Sequence, residues 1–276
     1  AAPPAVEAAE TAAPEGLWTR SEPMILGVGL IVVFLAGWEA FPHVVTVSKG
    51  TQLFLTTPSA IAATLVKMVA GATFWHHLSV SATAFALGLA FSIVVAIPLG
   101  VALGRSQILD AILDPFVTAI NATPRLVFLP LILLWFGIGV WSTVIIVFIG
   151  AVFPLLINTY EGVRNSDRVL INVVRSFGAN EWQVNRLVVL PNSLPFIVAG
   201  LRLAIGRAVL GVVVAEFFGS DAGIGVLMVN AAGRYQVDVV FAGLVVFMAL
   251  SLIMTSFVKA FEIRLTRWRP EKVKTF

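Results

Sequence analysis

Residues 173–195 read VVRSFGANEWQVNRLVVLPNSLP, a charged and punctuated segment set in a chain that is otherwise strongly apolar. Of the 276 residues 59% are hydrophobic and 12% charged, and the mean hydropathy is +0.97, whereas roughly 25% of a soluble domain is charged. Apolar runs of about 20 residues cross a hydrocarbon layer of about 30 Å as helices, while strands of a membrane barrel alternate over about ten residues. The runs here are continuous, so the chain reads as an all-α integral membrane protein. The quoted segment then lies between spans.

Its local signals predict two short helices at a corner. Asn165, Ser166 and Asp167 are N-cap candidates, and Val169, Leu170, Val173, Val174 and Phe177 follow as a stripe down one face, with Arg168, Asn172, Arg175 and Ser176 over the rest. Gly178 is placed to end the helix through a left-handed cap. Asn180 with Gln183 three residues on has the form of a capping box that opens a second helix, which Leu190-Pro191 is expected to stop. On pattern alone, a connector lying along the membrane face and a docking element fit these residues equally.

Outward from the corner, six spans are expected: Met24–Pro42, Ser79–Gly104, Ile112–Phe136 interrupted by Pro124 and Pro130, Trp141–Tyr160, Leu194–Phe218 and Val237–Phe261. A short interfacial helix opens at Pro58, and Val226–Ala232 forms another after the fifth span. Residues 1–23, rich in Ala, Pro and Glu, read as a disordered tail, 24–262 as the span domain with its loop at 161–192, and 263–276 as a second tail. The N-terminal segment lacks the basic start and apolar core of a signal peptide. Six spans put both termini on one side. That side holds twelve basic residues (Arg20, Arg105, Arg164, Arg168, Arg175, Arg186, Lys259, Arg264, Arg267, Arg269, Lys272 and Lys274) against Lys49, Lys67 and Arg234 opposite. Both termini and the 161–192 loop are therefore expected in the cytoplasm.

Charged groups at membrane depth face a cavity or a partner. Arg125 follows Asn121, Thr123 and Pro124 where the third apolar run breaks, and Arg207 falls halfway along the fifth. Either could neutralise an anion in a translocation path, snorkel to the interface, or pair with Glu39 or Glu216. Arg202 reads as an interfacial anchor. Glu216, with Phe217, Phe218 and the glycines at 219, 223 and 225, marks the outer end of the fifth span, as part of a gate or of a plain turn. Trp135, Phe136, Trp141 and Phe153 read as belt or packing residues.

Enzymatic classes find no support. No Gly-Lys pair occurs, since the five lysines follow Ser, Val, Val, Glu and Val, so no phosphate-binding loop of the G-x-x-x-x-G-K-[ST] kind can form. No cysteine is present for a disulfide or thiolate metal site. His43, His76 and His77 lack an HExxH or carboxylate cluster, and Asp110 and Asp114 read as caps of a helix start rather than an acid pair. Catalytic residues, metal and cofactor are all expected to be absent from this chain.

From Gly178 nine residues lead to Val188, and Leu190-Pro191 follow after one more, a G-x9-[IV]-x-L-P spacing. Together with ATPRLVFLPLILLWFGIG (122–139), FPLLINTYEGVRN (153–165), RSFGANEWQVNRLVVLPNSLPFIVAGLRLAIGRA (175–208), VVVAEFFGSDAGIG (212–225) and RWRP (267–270), it resembles permease subunits of ABC importers over about residues 57–270. The likeness is to the branch that imports nitrate, taurine and alkanesulfonates. It implies the type I importer permease fold of six transmembrane helices with a cytoplasmic coupling helix, in a bacterial inner membrane. It further implies ATP and Mg held by two separate ATPase subunits, a second permease copy, and a periplasmic binding protein. Carried onto this sequence, the ATPase contact falls on Asn172, Val173, Val174, Arg175, Ser176, Phe177, Gly178, Ala179 and Glu181, with Leu190 and Pro191 closing the motif. Asn172-Val173-Val174 stand where the family has Glu-Ala-Ala. Asn121, Thr123, Arg125, Arg207 and Glu216 are the candidates for the substrate path. An uncharged or aromatic solute of the pyrimidine-precursor type, or a passive channel, is the alternative.

Overall fold

A computed structural model describes residues 17–44 and 54–265. Its elements are α1 (Leu17–Val44), α2 (Pro58–Ala70), α3 (Ala72–Arg105), α4 (Gln107–Ala122), a 3-10 turn (Arg125–Phe128), α5 (Leu129–Phe136), α6 (Val140–Arg164), α7 (Arg168–Ser176), α8 (Glu181–Val184), a π turn (Asn185–Val189), α9 (Leu190–Gly219), α10 (Ile224–Ala232) and α11 (Val237–Leu265). Among the described residues, five helical runs are long and apolar enough to cross a membrane, and six if the bent pair α4 and α5 counts as one. The six-span expectation corresponds to this set. Helix α1 begins at Leu17, inside the stretch expected as a tail, and residues 1–16 and 266–276 of the expected tails lie outside the described residues.

The chain divides into two units, residues 1–62 and 63–276. In the first, Thr57 Oγ1 accepts from the Ala60 N–H at 3.3 Å, and the Glu39 carboxylate accepts from the Ser59 N–H at 3.0 Å and its hydroxyl at 2.6 Å. A carboxylate at the first turn of α2 satisfies free amides and suits the helix dipole. Trp38 donates its indole N–H to the Thr56 carbonyl at 2.9 Å, tying the end of α1 to the approach to α2.

In the second unit α6 lies between α3 and α9. Lipid offers no hydrophobic drive between helices, so close backbone approach and dispersion hold them. A Cβ on Gly88 of α3 would stand 2.5 Å from Val147 Cγ1, and one on Gly100 2.8 Å from Thr159 Cβ. On the other seam, a Cβ on Gly162 would stand 2.7 Å from Phe196 Cβ, and one on Gly200 of α9 2.7 Å from Asn158 Cβ. Ala96, Val147, Ala151, Leu155, Ala204 and Ala208 are wholly buried along these seams. Ser92 donates to the Gly88 carbonyl at 2.8 Å within α3 and lies 3.2 Å from the Phe148 carbonyl of α6, adding a polar tie across the first seam.

Two proline expectations differ from the structure. Pro124 does break the third apolar run, whose two helices stand at 87°. Pro130, however, sits in the first turn of α5, where its missing N–H has no intrahelical partner to lose. Pro191 likewise does not stop a helix. It lies in the first turn of α9, and the helix runs unbroken from Glu181 to Gly219. The π turn explains this: the Leu190 N–H reaches back to the Asn185 carbonyl, and the one-residue expansion gives the Pro191 ring room beside the preceding turn. The helix that carries the fifth span therefore starts within the corner and not at Leu194.

Replacing Gly88 with Val places two methyl-bearing branches where Val147 already stands. Overpacking of this kind costs about 1–3 kcal/mol, so the purified variant is expected to melt several degrees below the parent in detergent. An unchanged melting temperature would contradict the close approach of α3 and α6.

Candidate functional site

The sequence candidates fall mainly in two regions, the α7–α8 corner and a cavity beside the broken third span. At the corner, Asp167 caps α7 by accepting from the Val169 N–H at 2.8 Å. Gly178, at φ +85°, closes it: the Gly178 N–H bonds to the Arg175 carbonyl at 2.9 Å and the Ala179 N–H to the Val174 carbonyl at 3.3 Å, the Schellman arrangement. Asn180 and Gln183 form a reciprocal capping box at 2.8 and 2.9 Å. The corner is thus fixed by its own backbone and caps.

Its underside packs Ile171, Val184, Val188 and Val189 against Val163 of α6, with Val174 and Ala179 at the edge. Ile171, absent from the predicted stripe, is the buried anchor of α7, and of the stripe itself only Val174 turns inward. Val169, Leu170, Val173 and Phe177 project outward, Phe177 with 88% of its surface exposed, beside Trp182 and Leu187 of the next helix. A shallow groove lined by Leu170, Val173, Leu187, Pro191 and Asn192 runs between them. The stripe does not lie packed on this chain; it is an uncovered apolar face.

Glu181 is spent internally. Its carboxylate takes Arg175 Nη2 at 2.7 Å and Nε at 3.1 Å, and also Arg105 at the end of α3. That double pairing locks the start of α8 to the second span, a tie no local sequence pattern could announce. Asn172, Ser176 and Leu190 are exposed, and the Ser176 hydroxyl donates to the Asn172 carbonyl at 2.9 Å.

The second region is a cavity of about 340 Å³ lined by Asn121, Thr123, Pro124, Leu129, Arg207 and Gly211, among others. The break after α4 puts Asn121 and Thr123 on the wall of the same cavity as Arg207 from the middle of α9. Arg207 makes no hydrogen bond or ion pair among the described residues, and Arg125 opens the 3-10 turn beside the cavity with its side chain outside those described. Arg202 is different: it pairs with Glu262 of α11.

Glu216 stands elsewhere. It is 2% exposed and accepts from the Ser81 hydroxyl at 2.6 Å and the Gly225 N–H at 2.7 Å. The Ile224 N–H bonds to Ser81 Oγ at 2.9 Å and the Gly223 N–H to His77 Nδ1 at 2.9 Å. Three successive amides at the start of α10 are thereby satisfied by side chains of α3 and α9, and Glu216 is a capping carboxylate rather than part of the cavity wall. A Cβ on Gly223 would fall 2.2 Å from Glu216 Cδ, which is why glycine is needed there. His77 and Ser81 lie four apart on α3, the only sequence trace of this arrangement.

The binding-protein-dependent transport system inner membrane component family matches residues 96–267. The taurine transport system permease protein TauC of Escherichia coli (strain K12) is 33% identical over 92% of this chain and 93% of its own length. A permease protein of Bacillus subtilis (strain 168) named for aliphatic sulfonates transport, SsuC, is 34% identical over 88% of this chain and 87% of its own. Among solved structures, an inward-facing MetNI methionine ABC transporter shares the fold with a TM-score of 0.61 at 19% identity, covering 68% of this chain and 93% of that one. An amino acid ABC transporter with histidines matches with a TM-score of 0.55 at 16% identity over 80% of this chain and 100% of that one. Matched over most of its length in sequence and in helix arrangement, the chain belongs to the inner membrane components of binding-protein-dependent transport systems, as a multi-pass permease subunit.

Proposed function

We propose that this permease passes a small sulfonate-type anion, of the class of taurine and alkanesulfonates, through the cavity at the broken third span. The observation that carries the reading is Arg207. A guanidinium at mid-span costs about 2.5–3.5 kcal/mol on insertion scales, and here it lines a cavity with Asn121 and Thr123 rather than pairing with a carboxylate. Such a cation, with amide and hydroxyl groups beside it, complements three-oxygen anions through a planar donor fork. The relatives named for taurine and aliphatic sulfonates, aligned over about nine-tenths of the chain, support the same class.

Energy enters at the corner. Two ATPase subunits, holding ATP and Mg, dock on the apolar face of α7 and α8, and the unbroken helix from Glu181 to Gly219 carries their closure to Arg207. The corner and both termini lie in the cytoplasm, where the basic residues concentrate. The face of α9 bearing Leu203, Arg207 and Leu210 is uncovered in a single chain, and a second copy completes the path there, with solute delivered by a periplasmic binding protein.

Arg207→Gln is expected to lower uptake of taurine or an alkanesulfonate in proteoliposomes of the full importer about tenfold or more, because hydrogen bonds to charged groups are worth ~1.5–3 kcal/mol. Arg207→Lys should recover part of it. Uptake unchanged by Arg207→Gln would turn the assignment toward an uncharged solute.

Gly178→Val forces a β-branched residue to φ +85°, a left-handed conformation costing ~1–2 kcal/mol, and Phe177→Ala deletes the most exposed apolar side chain of the corner. Both variants are expected to insert normally and to leave ATP hydrolysis running while uptake falls at least about tenfold. Normal uptake in both would mean that the corner is a connector.

A further inference from the structure

A separate polar cleft of about 560 Å³ opens on the inner side of the corner, between the end of α3, the start of α4, the end of α6 and α7. Four arginines line it: Arg105, Arg164, Arg168 and Arg175. Glu181 bonds two of them, and Asp110 lies 3.8 Å from Arg164 while accepting from Tyr160 OH at 2.9 Å. Four positive charges therefore meet the carboxylates of Glu181 and Asp110, with Asp114 of α4 adding its field at Arg164, and Arg168 has no partner among the described residues. The floor is firm, with Ile171, Val163 and Leu103 buried beneath the polar rim.

A guanidinium carries several N–H donors in a planar fork. The hydrogen bonds to Glu181 and Tyr160 use only some of those on Arg105, Arg164 and Arg175. What remains is a concave cluster of donors whose positions are set by the fold and whose excess charge is positive. Its carboxylates hold the arginines in place without neutralising them, an arrangement that fits a phosphate group taken bidentately. The cleft also lies where the spans end. Ile108 and Ile112 on α4, within two turns of the cleft-lining Gln107, point outward with 73% and 56% of their surface exposed. Basic pockets between transmembrane helices at the membrane surface hold anionic lipid headgroups.

We propose that this cleft is a binding site for a phosphate-bearing ligand, independent of the solute path, in which Arg168 and Arg164 grip the phosphate and Arg105 and Arg175 provide the field. Because Arg105 and Arg175 also anchor Glu181 at the start of α8, occupancy of the cleft stiffens the corner. The ligand chemistry is shared by a phospholipid headgroup and by free phosphate, and the two are separated by the probe.

The full-length chain is purified, reconstituted in nanodiscs of phosphatidylcholine doped with phosphatidylglycerol or cardiolipin, and released for native mass spectrometry to count retained lipids. In parallel, its melting temperature is followed in lipid-free detergent against inorganic phosphate, with chloride at equal ionic strength as control. Retention of the anionic lipids at least fivefold above phosphatidylcholine, falling severalfold in Arg168→Gln and partly restored in Arg168→Lys, is the expected result and identifies the headgroup. Stabilisation by inorganic phosphate with the same arginine dependence identifies the free ion. Equal retention of neutral and anionic lipids with no phosphate stabilisation overturns the proposal. So does binding that ignores both Arg168→Gln and Arg164→Gln, and so does loss of arginine-dependent retention once the ATPase subunits are bound, which would assign the cleft to an acidic segment of that partner.

Discussion

The contact on which the rest of the second unit depends is the backbone approach of α6 to α3 on one side and to α9 on the other. It is made possible by side-chain deletion: at Gly88, Gly100, Gly162 and Gly200 the neighbouring helix occupies the space a Cβ would need. In hydrocarbon this is the form helix association has to take, because lipid tails compete evenly for apolar side chains and only density favours the protein neighbour. The consequence is a rigid slab of three long helices. At one of its ends the corner can be braced, and along one of its faces a cavity can stay open.

The bracing is electrostatic and capped. Arg105 from α3 and Arg175 from α7 share the Glu181 carboxylate, so the first residue of α8 is tied to two elements at once. From there the helix continues to Gly219 without a break, and the π turn at 185–189 absorbs Pro191 that would otherwise clash with the preceding turn. Trp182 thus sits on a continuous helix that packs on α6. At the far end the same helix supplies Glu216 to the Gly225 amide of α10 and the Ser81 hydroxyl of α3, so both ends of this helix are anchored by carboxylates with named partners. Between them Arg207 makes no hydrogen bond or ion pair among the described residues and lines the cavity beside Asn121 and Thr123.

Much of this was legible in the sequence, and the part that was not has a common cause. Capping at Asn180, Gln183 and Asp167, the left-handed turn at Gly178 and the break at Pro124 are local events, decided by a few neighbouring residues, and they stand where the pattern put them. Asn121, Thr123 and Arg207 stand out in the sequence as polar groups at membrane depth, but that they line one cavity is set by the tertiary arrangement of α4 and α9. Pro130 was misjudged because proline is tolerated in a first turn, and Pro191 because the π turn before it makes room for its ring inside a continuous helix. Glu216, Ser81 and His77 come from helices more than a hundred residues apart in sequence, and Arg105 lies 76 residues from Glu181. No periodicity or spacing encodes such pairs.

The replacement of the family's Glu-Ala-Ala by Asn172-Val173-Val174 acquires a physical meaning from the same geometry. Asn172 lines the arginine-rich cleft together with Arg105, Arg168 and Arg175. A glutamate at 172 would stand in that field and compete with Glu181 for the guanidiniums that hold the corner to α3. With asparagine there, Arg175 is free to take Glu181 in a two-point contact, and the carboxylate that fixes the corner comes from α8 instead of α7. The outward face of α7 is correspondingly apolar, with Val169, Leu170, Val173 and Phe177 exposed. That face offers apolar area and shape more than charge, while the charge of this corner is directed inward, to its own bracing and to the cleft behind it.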